Sequence, residues 1–217
     1  MTHIKWTGVT RPEDAAAAAA LGVQTIACVF NAQSPRYVTT ERAWAIRREL
    51  PPHVGFIGVF VDTPSPLVQR IVDQCQLDAA QLFGSEPRAE VDAITPYGFK
   101  AVTVRSAADL DAAVKALPRR TKDADRPALV AHLTDDCTDR WSLVAAASAR
   151  HAVLLASAAL TARNVPAALR AAEPWGVDLW ESVEEAPGKL DRERLAAVIA
   201  AVRNWDGQGL LPTAPAT

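Results

Sequence analysis

The stretch from His3 to Leu21 decides the fold. His3-Ile4-Lys5-Trp6-Thr7 reads as a short strand and Gly8-Val9-Thr10-Arg11 as a turn; Pro12-Glu13-Asp14 then opens an alanine-rich helix ending at Leu21. Proline at the first helical position is a start signal, and Thr10 with Glu13 has the spacing of a capping box. Working outward, the same unit recurs along the chain. Strands are expected at His3–Thr7, Gln24–Phe30, Val54–Val61, Ala79–Leu82, Phe99–Val104, Ala128–Leu133, Ala152–Ala156 and Val177–Trp180. Helices are expected near Pro12–Leu21, Thr40–Leu50, Ser65–Gln74, Pro87–Ile94, Ala107–Leu117, Arg140–Ala149, Ala162–Ala171 and Arg192–Arg203. Thr39, Ser106, Thr161 and Asp191 stand where N-caps belong.

The strands are apolar throughout rather than alternating, which implies a parallel sheet covered on its outer face. Eight such units in order predict an α/β protein, a (β/α)8 TIM barrel. A doubly wound open sheet is the rival, but it calls for a glycine-rich turn after the first strand, and Gly8-Val9-Thr10 is not one. At 217 residues, the chain is read as one barrel over residues 1–203 with a tail over 204–217. The 43 alanines favour helices packed closely on the sheet.

Bulk properties narrow the function classes. Twenty-three basic and 25 acidic residues give a net charge of −2. This leaves no basic footprint for nucleic acid and no polybasic membrane anchor. No apolar run is long enough to span a bilayer, and the first residues lack a signal-peptide pattern. Cys28, Cys75 and Cys137 fit neither a disulfide framework nor a zinc site and are read as reduced thiols of a cytoplasmic protein. Pro118–Pro127 reads as a solvated charged connection. The expected partner is a small-molecule substrate; the sequence leaves the oligomeric state open. Neither a cofactor nor a metal is expected.

Chemistry in such barrels sits in the loops after the strands, and there the chain resembles the phosphoribosylanthranilate isomerase family. Lys5-Trp6-Thr7-Gly8-Val9-Thr10 is similar to that family's Lys-Ile-Cys-Gly-Ile-Thr opening. Val29-Phe30 with Ser34-Pro35-Arg36-Tyr37-Val38 resembles its second strand and loop. Gly58-Val59-Phe60-Val61, Gln81-Leu82-Phe83-Gly84, Leu160-Thr161 with Asn164-Val165, Gly176-Val177-Asp178, and Val183-Glu184 with Ala186-Pro187-Gly188-Lys189 continue the likeness to about Arg203. The resemblance implies an Amadori rearrangement of a phosphoribosyl anthranilate in tryptophan biosynthesis. That reaction needs an acid for the ribose ring oxygen, a base for the C2 proton and donors for the phosphate.

At those places the residues depart from the family's pattern. Thr7 stands where the family has its cysteine base, and an alcohol ionises far less readily than a thiol. At the end of the sixth strand, His132 takes the place of the family's aspartate, or Ala131 does if the register slips by one. Asp135 and Asp136 are read as loop or capping residues. Ser157-Ala158-Ala159-Leu160 and Trp180-Glu181-Ser182 replace the glycine-rich phosphate turns. Glu181 near a phosphate would repel it by about 3 kcal/mol at ~5 Å and an effective dielectric of ~20.

Lys5, Arg36, Gln81, Asp178 and Glu184 match the family's pattern. By resemblance Arg36 addresses the substrate carboxylate. Asp178 is expected as a buried carboxylate, with Lys5–Asp178 or Lys5–Glu184 as interior ion pairs. Trp6, Phe83 and Trp180 are new aromatics, with Trp6 free to face either the mouth or the helices. Trp44, Trp141 and Trp175 are read as packing anchors.

The leading expectation is therefore a repurposed, isomerase-like enzyme acting on an unphosphorylated, largely apolar molecule. Asp178, His132 and Glu181 would be its acid and base groups; Arg36, Thr7, Gln81, Phe83, Trp180 and Trp6 would bind the substrate. The alternatives are a genuine phosphoribosylanthranilate isomerase with altered residues, and a non-catalytic binder whose mouth Trp180 and Phe83 plug.

Overall fold

The structure is a computed structural model that describes residues 1–117, 125–134 and 141–208. Eight parallel strands close a barrel in sequence order: β1 His3–Thr7, β2 Thr25–Val29, β3 Gly55–Phe60, β4 Ala79–Leu82, β5 Gly98–Val104, β6 Leu129–Leu133, β7 Val153–Ala156 and β8 Gly176–Leu179. The helices between and after them are α1 Pro12–Leu21, α2 Thr40–Glu49, α3 Ser65–Cys75, α4 Arg88–Asp92, α5 Ala107–Lys115, α6 Ala145–Ser148, α7 Val165–Ala172 and α8 Arg192–Gln208. A small antiparallel hairpin, β9 Glu184–Ala186 and β10 Lys189–Leu190, follows β8 and was not foreseen. The barrel expectation holds.

The two-residue period of the strands separates two apolar layers. Ala27, Val29, Ile57, Val59, Phe99, Ala101, Val130, Leu154 and Ala156 fill the barrel interior. Their neighbours Ile4, Trp6, Ile26, Phe56, Leu82, Leu133, Leu155 and Leu179 face the helices. Both faces are thus buried, which is why the strands read as continuous apolar runs. Trp6 belongs to the outer layer and is fully buried there. Its assignment to the substrate site is corrected: position 6 points opposite to Lys5 and Thr7.

Local starts vary. Thr39 caps α2 by accepting from Arg42 N, and Ser106 forms a capping box with Asp109. Asp191 caps α8 by accepting from Arg194 N. Thr10 does not cap α1; its hydroxyl donates to the Gly188 carbonyl at 2.8 Å and ties the β9–β10 turn to β1. Thr161 does not cap α7, whose N-cap is Asn164. In place of one regular sixth helix, a 3-10 turn over Trp141–Val144 leads into α6. Trp141, Val144 and Ala147 are all buried, and three-residue spacing on one face is what a 3-10 turn supplies.

Helix α8 continues past Arg203 to Gln208, so the first residues of the expected tail are helical. Asp206 accepts from Thr2 N at 3.0 Å and from the Thr2 hydroxyl at 2.6 Å, while Arg170 stacks over Trp205. Of the expected anchors, Trp141 is buried and Trp175 stacks on His3 at 4.4 Å. Trp44, 40% exposed, is not one. Cys28 and Cys75 are buried, unbridged thiols. Asp135, Asp136, Cys137 and most of the charged connection before β6 lie outside the described residues, as does the chain beyond Gln208. Among the described residues no helix is long and apolar enough to cross a membrane.

Candidate functional site

A cavity of about 320 Å³ opens at the C-terminal ends of the strands. Its exposed wall is mostly apolar, with polar side chains set into it. Val29, Val59, Val61, Phe83, Ala101, Val130, Ala156 and Trp180 are apolar, while Thr7, Asn31, Ser34, Arg36, Gln81, His132 and Asp178 are polar. The polar set arises because the last inward position on several strands, or the first loop residue after them, carries a functional group. Phe83 and Trp180 lie along the wall and leave the mouth open, against the expectation of a plugged barrel.

Asp178 on β8 lies opposite Lys5 on β1, as Cα partners in the ladder that closes the barrel. Lys5 Nζ donates to Asp178 Oδ2 at 2.5 Å, the Thr7 hydroxyl donates to Asp178 Oδ1 at 2.6 Å, and Lys5 Nζ also donates to Thr7 Oγ. All three residues are buried. Burial pushes the Lys5 ammonium down, more strongly than Asp178 draws it up. Of the two ion pairs considered for Lys5, Asp178 is the one formed; Glu184 is engaged elsewhere.

Arg36 is that other partner. Its Nε and Nη2 bond Glu184, with Nη2 to Oε2 at 2.6 Å, and Nη2 also meets Glu181 Oε1 at 3.3 Å. The guanidinium carbon sits 5.5 Å from the Trp180 ring centroid. Burial presses the Arg36 pKa down, but the hydrogen bonds and charges of Glu184 and Glu181 outweigh it and hold the pKa raised. Gly8 makes room for this arm: its φ is +101°, and a Cβ there would lie 2.4 Å from Arg36 Cδ. Ser34 Oγ accepts from Arg36 N at 3.1 Å and fixes the loop.

His132 faces the cavity and Ala131 faces the helices. The imidazole lies 5.3 Å from the Phe83 ring and meets Trp180 edge-on at 4.7 Å. Gln81 Oε1 and Trp180 Nε1 are buried and have no hydrogen-bond partner among the described residues. Glu181 is half exposed at the rim, turned to Arg36, and does not line the cavity. Asn31 and Ser34 were missed. The only signal for them was their place in the loop that carries Arg36. Among the described residues no three His, Cys, Asp or Glu side chains group to hold a metal.

The family model for N-(5'-phosphoribosyl)anthranilate (PRA) isomerase matches residues 4–201. The chain belongs to the phosphoribosylanthranilate isomerase family. Among curated relatives, the N-(5'-phosphoribosyl)anthranilate isomerase of Pelobacter propionicus is 36% identical over 200 residues, covering 92% of this chain and 94% of that protein. The enzyme of the same name from Geobacter sulfurreducens is 34% identical, covering 94% of this chain and all of its own. The solved phosphoribosyl anthranilate isomerase of Thermotoga maritima superposes with a TM-score of 0.83 at 28% identity, over 94% of this chain and 100% of that one. Another solved family structure, in complex with reduced 1-(o-carboxyphenylamino)-1-deoxyribulose 5-phosphate, gives 0.81 at 28% identity, with the same coverage of both chains.

These findings overturn the expectation of a repurposed enzyme for an unphosphorylated, apolar molecule. The family match over residues 4–201 sits with curated relatives that carry the isomerase name. The Glu181 carboxylate lies outside the cavity wall, 3.3 Å from Arg36 Nη2.

Proposed function

We propose that this chain isomerises N-(5'-phosphoribosyl)anthranilate, opening the ribose ring and moving the C2 proton in an Amadori rearrangement. The unbroken family match across residues 4–201 carries the reading. The retained Arg36, Gln81 and Asp178 around one open cavity support it.

Arg36 binds the anthranilate carboxylate with the part of the guanidinium that Glu184 and Glu181 leave open. His132 protonates the ring oxygen as the C1–O bond breaks, leaving a protonated imine at C1. Asp178 then removes the C2 proton. The C2–H electron pair becomes the C1–C2 double bond and the imine pair passes to nitrogen, giving an enolamine that tautomerises to the ketone. Gln81 Oε1 and Trp180 Nε1, an unpaired acceptor and donor among the described residues, suit the ribose hydroxyls. The phosphate end falls at the turns after β7 and β8, where Ser182 keeps a buried hydroxyl without a partner among the described residues. On this reading the chain is a family member with altered reacting groups, in which an imidazole and a carboxylate replace the family's aspartate and thiol.

Rescue of a tryptophan auxotroph lacking this isomerase tests the proposal. Growth is expected; no growth from a well-expressed, folded chain contradicts it.

A further inference from the structure

An ion pair inside a barrel otherwise filled with Val, Ala, Leu and Phe needs a reason. Desolvating two charges costs about as much as their attraction returns, and apolar residues of similar size serve stability as well or better. Lys5, Thr7 and Asp178 are 1%, 8% and 4% exposed, and Thr7 and Asp178 border the cavity.

The hydrogen-bond directions assign the roles. The single Thr7 proton is committed to Asp178 Oδ1, and Lys5 donates into the Thr7 oxygen. An alcohol bonded in this way has no spare basicity. The carboxylate, by contrast, has about four lone-pair sites, of which Thr7 and Lys5 engage two. The charged and titratable groups around Asp178 are Lys5 on β1, with His3 further down that strand, His132 on β6 and Arg36 from the loop after β2. Its partner on β7 is Ala156, which carries no charge.

We infer that Lys5 and Thr7 are positioning residues that hold the Asp178 carboxylate aimed at the substrate, so that the proton-accepting role has passed from the end of β1 to β8. The inference rests on the isomerase reading above. Nothing in the step needs an oxidant or cofactor: Asp178 gains the C2 proton, and that proton returns when the enolamine tautomerises.

The test is kcat and KM for the purified enzyme and four variants. Lys5→Met is expected to lower kcat about 10-fold or more with KM little changed, because Asp178 loses a donor that aims it. Thr7→Val, nearly isosteric, lowers kcat in the same way by less and serves if Lys5→Met does not fold. Thr7→Ser keeps the wild-type kcat, and Asp178→Asn loses about 10²-fold or more. A loss in Thr7→Val as deep as that in Asp178→Asn, with Thr7→Ser active, makes Thr7 the acceptor and overturns the inference. So does wild-type kcat in both Lys5→Met and Thr7→Val. Absence of turnover in the wild type is a different result: it overturns the isomerase reading, and this inference with it.

Discussion

Arg36 and Glu184 form a buried clamp at the barrel mouth. Arg36 Nε lies 3.0 Å from both oxygens of Glu184, and Nη2 lies 2.6 Å from Oε2. Glu184 Oε1 in turn accepts from Gly188 N, and the Gly188 carbonyl accepts from Thr10. The hairpin after β8 thus holds in place an arm that arrives from the loop after β2. Arg36→Lys is expected to raise KM and lower kcat/KM about 10–100-fold, the size of one charge-assisted hydrogen bond of about 1.5–3 kcal/mol. Arg36→Met adds a loss of about 3–5 kcal/mol of stability, because Glu184 is left buried and unpaired. Steady-state kinetics and denaturant melts read the two effects separately.

Gly8→Ala tests the same arm from below. Its Cβ would occupy the space of Arg36 Cδ at a backbone φ of +101°. The expected cost is about 1–3 kcal/mol of stability, with KM raised as in Arg36→Lys. An unchanged KM would show that Arg36 has another route to its position.

His132→Asn keeps a hydrogen-bonding side chain of smaller size but cannot shuttle a proton near neutral pH. Turnover is expected to fall about 10²-fold or more with KM nearly constant. A variant with wild-type kcat would remove His132 from the chemistry.

His3, stacked on Trp175 and hydrogen-bonded to Thr25, makes a prediction about stability. Burial, with the charges of Lys5 and Arg203 assisting, lowers its pKa from 6.5 to about 4. Between those values the unfolded chain binds the proton and the folded chain does not. Its contribution is therefore complete above pH 6.5 and is lost as pH falls toward 4, by up to about 3 kcal/mol. In thermal melts from pH 7 to pH 4.5, His3→Gln should lose less stability than the wild type over this window. Parallel loss in both would contradict the assignment.

The fold was legible because every strand is buried on both faces, so apolar runs and alanine-rich helices alternate without a break from His3 to α8. The site was half legible. Arg36, Gln81, Asp178 and His132 stand at strand ends and in the following loops, where position alone implies function. Trp6 misled because a strand's two faces are both apolar here, and the sequence holds no sign of which is which. Glu181 misled because it turns to Arg36, far away in the chain, and away from the cavity. The Lys5–Thr7–Asp178 arrangement depends on the register by which β8 closes against β1, which local pattern does not carry.

The most direct measurement is turnover of N-(5'-phosphoribosyl)anthranilate by the purified chain, with the product identified by mass spectrometry and carbon NMR. The account predicts the carboxyphenylamino-deoxyribulose phosphate, formed well above the spontaneous rate and lost in Asp178→Asn. A folded chain that leaves the substrate untouched would contradict it.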